Sequence, residues 1–427
     1  MMSIYNDLTW RGLINQESDP EAIRDLLTNQ RATLYAGFDP TADSLHIGNL
    51  IPLIALRRLQ NAGHRVIALL GGGTGLIGDP SGKASERRLN EKDIVDAWVS
   101  NIRSQMEPFL DFTSANPAIL ADNYEWIGRL SAIDLLRGLG KHFTVSWMMS
   151  KESVRSRVGD PQSGISYTEF SYMILQALDF LELHERHQCT LQVGGSDQWG
   201  NITAGIELIR RKTGTPTYGV TFPLITTATG AKFGKSEGGA IWLDAKKTSP
   251  YAFYQYWLNV DDRDVGKFLR YFTFLSHDDI LQLEGLSVSS PEGREAQRRL
   301  ALEMTTMVHG TEEASRAESA ARALFGGGDL QDVEPQSLEV ALSSAPSLEY
   351  DTIHAIPDLS TLLVETKLAE SKGAARKLIS AGAIYANNIR IDDARFRPEA
   401  TQFLHGRYWL LRRGKKQVAV VKVRSVG

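Results

Sequence analysis

The sequence of 427 residues lacks the features that would place it in a membrane or an oxidising compartment. It has a single cysteine, Cys189, so an internal disulfide and a disulfide framework are excluded. No apolar run is long enough to span a bilayer, and the first residues show no basic stretch followed by an apolar run, so no signal peptide is predicted. We therefore expect a cytoplasmic protein without a membrane partner.

The composition is otherwise ordinary, but the charge is unevenly distributed. Hydrophobic residues make up 42% and charged residues 23%, close to globular averages, and the length predicts two to three domains. Residues 351–427 contain 14 Lys and Arg against 7 Asp and Glu, a net charge of +7. Since the whole chain carries −4, the remainder carries −11. The basic end predicts either a module with a polyanionic partner or a solvated charged face, and charge alone favours the second.

The pattern of apolar residues predicts several domains. Between residues 31 and 243, short apolar runs alternate with amphipathic helical stretches, which predicts a parallel sheet covered by helices. Ser249 and Pro250 then form a helix start, and the pattern stays helical to residue 325. We predict a Rossmann-like α/β catalytic domain at 1–245, an all-α domain at 246–328, a linker at 329–356 rich in proline and serine, and a small α+β domain at 357–427.

Two short segments at opposite ends of the α/β region contain phosphate-binding residue types. The run 46–49, HIGN, follows a predicted strand and a turn at Asp39 and Pro40, where a helix begins and its N–H groups favour anions. The alternative is a histidine bonded to the backbone. The run 232–236, KFGKS, places two lysines around a glycine, which suits a loop over a triphosphate; the alternative is a basic surface turn. Together the two segments predict an ATP site.

A third feature is a polar stripe on an otherwise apolar helix. The predicted helix from residue 168 to 183 is apolar on almost every face and should be buried. Tyr172, Gln176 and Asp179 nevertheless recur at i, i+4 and i+7. A buried carboxylate is costly unless it is paired, so the stripe predicts either an internal polar network or a polar ligand.

Other motifs fit their families poorly. The run 73–78 matches G-x-G-x-x-G, but Asp79 and Pro80 follow where a dinucleotide-binding motif needs a helix. Gly82 and Lys83 lack the first glycine and the Ser/Thr of a P-loop. His184 and His187 have no evident further ligand, so we predict no metal site. The aromatic cluster at 251–257 has helical spacing, which favours packing over base stacking.

The two phosphate-binding segments resemble the signatures of class I aminoacyl-tRNA synthetases. HIGN is similar to the HIGH signature with Asn49 in the last position, and KFGKS is similar to KMSKS with Phe-Gly in place of Met-Ser. The KFG-type loop, residues 35–41 and residues 194–201 resemble bacterial tyrosyl-tRNA synthetases. The basic C-terminal region resembles a small RNA-binding module named after a ribosomal protein. The resemblance covers nearly the whole chain.

This resemblance implies activation of tyrosine by ATP and transfer of the tyrosyl group to tRNA. It also implies a homodimer, formed through an insert at about 124–160, and Mg²⁺ carried on ATP, with no tightly bound cofactor. The implied tyrosine-binding residues are Tyr35, Asp79, Tyr172, Gln176, Asp179 and Gln198. The implied ATP-binding residues are Gly37, Asp39, His46, Gly48, Asn49, Gly195, Asp197 and Lys235. The implied catalytic residues are Thr41, His46, Asn49, Lys83, Arg87, Lys232, Lys235 and Ser236.

Two other functions use some of the same residues. Another nucleotidyl transferase with an HxGH-type turn would share the first segment, but it would need neither Asp179 with Tyr35 nor a basic module. A non-catalytic RNA-binding relative could keep the fold, and Asn49 in the signature leaves this alternative open. Tyrosine-dependent exchange of pyrophosphate distinguishes these functions from a tyrosine-activating enzyme.

Overall fold

The computed structural model describes residues 2–81, 89–158, 164–228, 233–236, 239–325, 330–333, 335–342, 345–414 and 417–425. Helices α1 to α18 are, in chain order, Ile4–Trp10, Pro20–Asn29, Leu50–Asn61, Lys92–Met106, Tyr124–Ile127, Ala132–Asp134, Val145–Met149, Glu152–Val158, Tyr167–His187, Trp199–Thr213, Pro250–Leu258, Asp262–Phe272, His277–Ser289, Glu295–His309, Thr311–Phe325, Pro335–Leu342, Leu359–Glu365 and Lys372–Ser380. Strands β1 to β13 are Gln16–Glu17, Thr33–Phe38, Arg65–Leu70, Ile119–Asp122, Leu191–Gly195, Tyr218–Phe222, Lys235–Ser236, Gly239–Ala240, Ser347–Thr352, Ile384–Ala386, Ile389–Arg390, Tyr408–Arg413 and Gln417–Ser425.

The chain divides into two compact units. The first comprises residues 1–248 and 260–300, and the second comprises residues 249–259 and 301–427. Within the described ranges, no helix combines the length and apolar character that crossing a membrane would require. The predicted fold class is confirmed, because the first unit holds a parallel sheet with helices and the second holds helices and a small α+β region.

The first unit is built on a six-stranded sheet with the order β1-β6-β5-β2-β3-β4. Its five longer strands pair in parallel, and the short β1 lies antiparallel at one edge. The strands β2, β3 and β5 are rich in buried apolar residues, as expected for strands covered on both faces. After β2 the chain adds β3 and β4 on one side, and it later adds β5 and β6 on the other. This reversal creates a crevice beyond the carboxyl ends of β2 and β5.

Helices α9 and α10 pack closely over this sheet and position much of the crevice. Helix α9 is buried along most of its length, as its apolar sequence predicts. A Cβ atom on Gly205 of α10 would lie 2.9 Å from the Phe180 ring of α9, so only glycine allows this approach. Close packing brings the polar stripe of α9 within reach of α10.

The region predicted to be helical at 246–328 contains helices, but these helices are divided between the two compact units. Ser249 caps α11 by accepting from the N–H of Ala252, as its sequence predicts. Helices α12 and α13 belong to the first unit, whereas α11 and α15 belong to the second. The apolar faces of these helices therefore pack into two different cores.

The prediction of a linker at 329–356 is wrong. This segment contains α16, and it contains β9, which pairs in parallel with β13. Prolines and serines suggested a tether, but Pro335 is the first residue of α16, a position where its missing N–H costs nothing. Pro346 precedes β9 and accepts from the N–H of Val420. Both prolines therefore lie where regular structure tolerates them.

The C-terminal α+β region has its own core. Its sheet has the order β11-β10-β12-β13-β9, and α17 and α18 contribute buried leucine, alanine and isoleucine residues to one cluster with it. Helix α18 is capped by Ser371 and exposes Lys372, Arg376 and Lys377. These basic residues therefore lie on the exposed part of the helix.

Candidate active site

Three parallel strands end beside one another at the crevice and supply its polar residues. Asp39 follows β2 directly, Gly71 follows β3, and the run 196–198 follows β5 as a 3-10 helix. Their carboxyl ends face the same edge of the sheet because the strands are parallel. The residues predicted from the polar stripe of α9 lie beside this edge: Gln176 belongs to one hydrogen-bond network there, and Tyr172 and Asp179 share another network.

Asp179 is the buried carboxylate of that network. Its side chain is 3% exposed, and its two oxygens accept from Trp126 Nε1 at 2.8 Å and from Asn123 Nδ2 at 3.0 Å. Burial raises the pKa of the Asp179 carboxyl to about 8, although both donated hydrogen bonds lower it. The carboxylate is therefore held in a fixed orientation inside an apolar cluster that contains Tyr35.

Asn123 and Thr74 connect Asp179 to a second carboxylate, Asp39. Asn123 Nδ2 also donates to Thr74 Oγ1 at 2.9 Å, and Thr74 Oγ1 donates to Asp39 Oδ1 at 2.8 Å. The hydroxyl of Tyr172 donates to Asp39 Oδ2 at 2.6 Å. Asp39 was expected among the ATP-binding residues, but its carboxylate here organises Tyr172 and Thr74.

Asp79, Gln176 and Gln198 come together at the middle of the stripe through Asn201. Gln198 Nε2 donates to Asp79 Oδ2 at 2.6 Å. Asn201 on α10 donates to Gln176 Oε1 at 3.0 Å, and its amide also lies 3.3 Å from Gln198 Oε1. The amides and the carboxylate are therefore gathered beside the carboxyl end of β5.

Two buried oxygen atoms, one on β2 and one on β5, have no hydrogen-bond partner among the described residues. Tyr35 and Gln192 are register partners on the parallel strands β2 and β5, so their side chains leave the same face of the sheet. Both residues are at most 2% exposed, and neither Tyr35 Oη nor Gln192 Oε1 has a hydrogen-bond partner among the described residues. Burial is the main cause that raises the pKa of the Tyr35 phenol, and the charge of Asp179 is the second cause. Unpaired buried polar atoms are costly, so this part of the crevice is a candidate place for a polar ligand.

The run 46–49 forms a short 3-10 helix with a reciprocal cap, directly before α3. Asn49 Oδ1 accepts from the backbone N–H of His46 at 3.0 Å, and His46 Nδ1 accepts from the N–H of Gly48 at 3.0 Å. A Cβ atom on Gly48 would lie 2.7 Å from the His46 ring, so this ring position requires glycine. The histidine is thus bonded to the backbone, and a neutral ring then carries its proton on Nε2.

The two signature segments are joined by a strand-like segment at 241–243. The N–H of Ile241 donates to Gly234 O, and the N–H of Ile47 donates to Ile241 O, both at 3.0 Å. Gly234 has a φ of +81°, a conformation that favours glycine. The prediction that the two segments share one site is consistent with this arrangement, since one residue bonds to both.

The glycine-rich run after β3 serves close packing. A Cβ atom on Gly71 would lie 2.1 Å from Asp39 Oδ1, and one on Gly75 would lie 2.7 Å from the Pro40 ring. Thr74–Leu76 forms a single 3-10 turn. These glycines allow the turn after β2 to approach the loop after β3, which positions Asp39.

Of the remaining predicted residues, some are exposed and others lie outside the described residues. Gly37, Thr41 and Asp197 are exposed, and a Cβ atom on Gly37 would meet open space. A side chain on Gly195 would lie 2.5 Å from Asp197 Oδ1. Lys83, Arg87 and Lys232, together with the side chains of Lys235 and Ser236, lie outside the described residues.

Five further residues of this region were not predicted from the sequence: Asn123, Trp126, Thr74, Gln192 and Asn201. A buried asparagine just after β4 and a glutamine inside the apolar β5 are the signals that could have indicated Asn123 and Gln192. His184 Nδ1 lies 2.8 Å from Cys189 O, which gives that histidine a structural role. In the part of the chain that the structure describes, no three His, Cys, Asp or Glu residues form a group suited to a metal ion.

Comparisons with known proteins agree with this geometry. Residues 27–326 match the family model for class I tRNA synthetases (W and Y), and residues 337–421 match the model for the SYY-like C-terminal domain of tyrosine–tRNA ligases. The chain is similar to tyrosine–tRNA ligase 1 of Bacillus licheniformis, with 52% identity over 98% of each chain. It is similar to tyrosine–tRNA ligase of Streptomyces griseus, with 50% identity over the full length of both.

A solved structure shows the same relationship. The C-terminally truncated mitochondrial tyrosyl-tRNA synthetase of Aspergillus nidulans is 29% identical, and it covers 76% of this chain and 95% of its own with a TM-score of 0.69.

Proposed function

Because this chain belongs to the class I tRNA synthetases (W and Y) and joins tyrosine to tRNA in an ATP-dependent reaction, we propose how its residues share that work. The site has a tyrosine pocket under the polar stripe of α9 and an ATP site at the run 46–49. The observation that carries the proposal is the unpartnered and buried Tyr35 Oη, which feels the charge of Asp179, together with the unpartnered Gln192 Oε1 on the neighbouring strand.

The phenolic hydroxyl of tyrosine binds between Asp179 and Tyr35. Asp179 is already oriented by Trp126 and Asn123, so one of its oxygens accepts a hydrogen bond from the phenolic hydroxyl without reorganisation. Tyr35 Oη then gains the hydrogen bond that it lacks in the free protein. A site built around a hydroxyl partner rejects the analogue without it, and tyrosyl-tRNA synthetases are the standard example of such rejection.

The amino-acid end of the substrate binds to the other end of the stripe. Asp79 supplies the negative charge for the ammonium group, and Tyr172 and Gln176 supply oxygen acceptors. Gln198 donates to the substrate carboxylate, because its amide nitrogen already points toward a carboxylate, that of Asp79, at 2.6 Å. These roles follow the family resemblance residue by residue.

ATP binds along the run 46–49. Gly48 lies on the exposed side of the 3-10 turn, where a flat base can approach the backbone, and Asn49 fixes the turn by its cap. His46 and Thr41 donate to phosphate oxygens, Gly37 and Asp39 line the turn after β2, and Asp197 with Gly195 holds the ribose. Lys83, Arg87, Lys232, Lys235 and Ser236 bind the phosphates, with Mg²⁺ arriving on ATP.

The reaction then needs orientation and charge stabilisation. An oxygen of the tyrosine carboxylate attacks the α-phosphorus of ATP, and pyrophosphate leaves with the electrons of the broken P–O bond. A ribose hydroxyl of the terminal tRNA adenosine next attacks the tyrosyl carbonyl carbon, and AMP leaves. The carboxylate is already a nucleophile, so no general base is needed for the first step.

The protein acts as a homodimer in the cytoplasm, and its basic C-terminal domain binds tRNA. Support for a dimer comes from large apolar side chains that are exposed within one stretch of the first unit. These are Ile133 (61%), Leu136 (55%), Val145 (62%), Met149 (43%) and Tyr167 (67%). A concentration of exposed apolar side chains in one stretch of a chain, here called the exposed apolar patch, is typical of a protein interface.

Pyrophosphate exchange tests the assignment of the pocket. Each proteinogenic amino acid is supplied in turn to the wild type, to Asp179→Ala and to Glu182→Gln. We expect exchange with tyrosine alone, its loss in Asp179→Ala, and its retention in Glu182→Gln, because Glu182 lies on the same helix but pairs with Arg186. Normal tyrosine-dependent exchange in Asp179→Ala would refute this pocket.

A further inference from the structure

The second signature segment rests on two aromatic residues of α12. The ring of Phe233 lies 5.1 Å from that of Phe268 in an edge contact and 5.5 Å from that of Phe272 in a stacked contact. Phe268 and Phe272 are fully buried, and Phe233 is 8% exposed. These distances lie in the range where aromatic pairs attract beyond simple burial. Phe233 is therefore inserted into an aromatic slot on α12.

The neighbouring residue is fixed against the first signature segment. Gly234 O accepts from the N–H of Ile241, whose own carbonyl accepts from Ile47. A Cβ atom on Gly234 would lie 3.1 Å from Ile47 Cγ1, so the backbone approaches closely. Fixing the Phe233 ring thus fixes a backbone that touches the HIGN turn.

Helix α12 also forms hydrogen bonds with the chain that precedes the second signature segment. The N–H of Ala228 donates to Asp264 Oδ2 at 2.7 Å, and Lys267 Nζ donates to Thr226 O at 2.8 Å. The residues described before and at the second segment therefore contact the same face of one helix.

The same helix is connected to α3, which begins directly after the HIGN turn. Arg58 of α3 donates to the carbonyl of Thr273 at the end of α12, and Arg11 of α1 donates to that carbonyl at 3.2 Å. Arg58 is buried, and burial lowers the pKa of its guanidinium to about 9. Helices α3 and α12 are therefore bonded to each other, and each supports one of the two signature segments.

We propose that Phe233 is a positioning residue for tyrosine activation: its ring, held by Phe268 and Phe272, places Gly234 and the following Lys235 beside the HIGN turn. The inference rests on the proposed phosphate-binding role of Lys235. Because the slot is formed by α12 and not by α9, its loss affects the ATP reaction and spares tyrosine binding.

The experiment compares Phe233→Ala and Phe233→Met with the wild type in tyrosine-dependent pyrophosphate exchange. Methionine is the residue of the class signature at this position and keeps a long apolar side chain. We expect Phe233→Ala to lower kcat by about tenfold, as two lost aromatic contacts imply. The KM for tyrosine should stay within about twofold, and Phe233→Met should recover most of the rate.

Two further variants separate positioning from a general loss of stability. Phe272→Ala should also lower kcat. The double variant Phe233→Ala with Phe272→Ala should show a smaller fall in kcat than the product of the two single effects, because both substitutions remove the same Phe233–Phe272 contact. Leu281→Ala removes an apolar side chain from the neighbouring helix α13, where it is 50% exposed, and should leave the exchange kinetics unchanged.

Lys235→Ala is assayed in parallel, so that failure of the two proposals can be distinguished. An unchanged rate for Lys235→Ala would overturn the proposed role of that lysine. A slow Lys235→Ala together with normal kcat in Phe233→Ala would overturn the positioning role alone. A Phe233→Ala variant that loses tyrosine affinity and thermal stability in proportion to its rate would also overturn it, because this would indicate only a structural role.

Discussion

Replacing Tyr35 with phenylalanine tests the tyrosine pocket with the smallest possible change. The substitution removes one oxygen atom and leaves the ring, which packs 5.3 Å from Phe180. In the free protein that oxygen is buried and lacks a partner among the described residues. The variant therefore separates the stability of the free protein from recognition of the substrate.

The expected effects have opposite signs. Burying an unpaired hydroxyl costs about 1–3 kcal/mol, so Tyr35→Phe should stabilise the free protein by about 1 kcal/mol. A change of that size raises the melting temperature by roughly 2 °C for a unit of this size. In the substrate complex the variant loses one hydrogen bond, so the preference for tyrosine over phenylalanine should fall by roughly twofold to twelvefold.

Two assays decide the outcome. Thermal denaturation is measured without ligand and with saturating tyrosine, and kcat/KM for pyrophosphate exchange is measured with tyrosine and with phenylalanine. A free variant that melts well below the wild type would show that the hydroxyl has a partner within the protein. Unchanged discrimination between the two amino acids would show that the hydroxyl does not meet the substrate phenol.

Three further predictions concern charge, assembly and the C-terminal domain. The pKa of Asp179 is raised to about 8 in the folded protein, above an ordinary carboxyl value of about 4. In this pH range the folded state binds one proton more than the unfolded state. The free energy of unfolding of the wild type, relative to that of Asp179→Asn, should therefore fall as pH rises from about 4 to about 8 and level off above. If urea titrations show the same difference between the two proteins at every pH, burial of the Asp179 charge is contradicted. Val145→Asp should give monomers in analytical ultracentrifugation, because it places a charge on the exposed apolar patch; an unchanged dimer would exclude that surface. Deleting residues 346–427 should leave pyrophosphate exchange intact and reduce tRNA charging by at least tenfold, and normal charging would show that the basic domain is dispensable.

The sequence predicted those parts of the site that depend on local pattern. Tyr172, Gln176 and Asp179 were found because helical spacing brings them to one face whatever surrounds the helix. The segments 46–49 and 232–236 were found because phosphate binding requires particular residue types in a short run. Local spacing and local chemistry are both visible in a single sequence.

The partners of those residues could not be predicted in the same way. Asn123 and Trp126 bond to Asp179 from more than 50 positions away, and nothing in their own segment indicates a long-range partner. The expectation that Asp39 serves ATP followed from the family resemblance, whereas its contacts depend on Gly71 and Thr74 of another loop. Such pairings exist only once the strands have been ordered in the sheet.

The linker error has a comparable cause. Strand β9 is mostly exposed, so it shows no run of buried apolar residues that would have marked it as a strand. It is recognised as a strand only through its pairing with β13, which lies about 70 residues later. Edge strands with polar sequences are difficult to predict for this reason.

The position of β13 has a consequence for the order in which the protein is made. β13 is the last strand of its sheet along the chain, yet it lies between β12 and β9 and bonds to both. During synthesis, β9 therefore has no neighbour to pair with until β13 has left the ribosome, whereas the strands of the first unit are all available much earlier. The activating unit can therefore assemble while the C-terminal module is still being translated, and the module itself can form only after its final strand emerges.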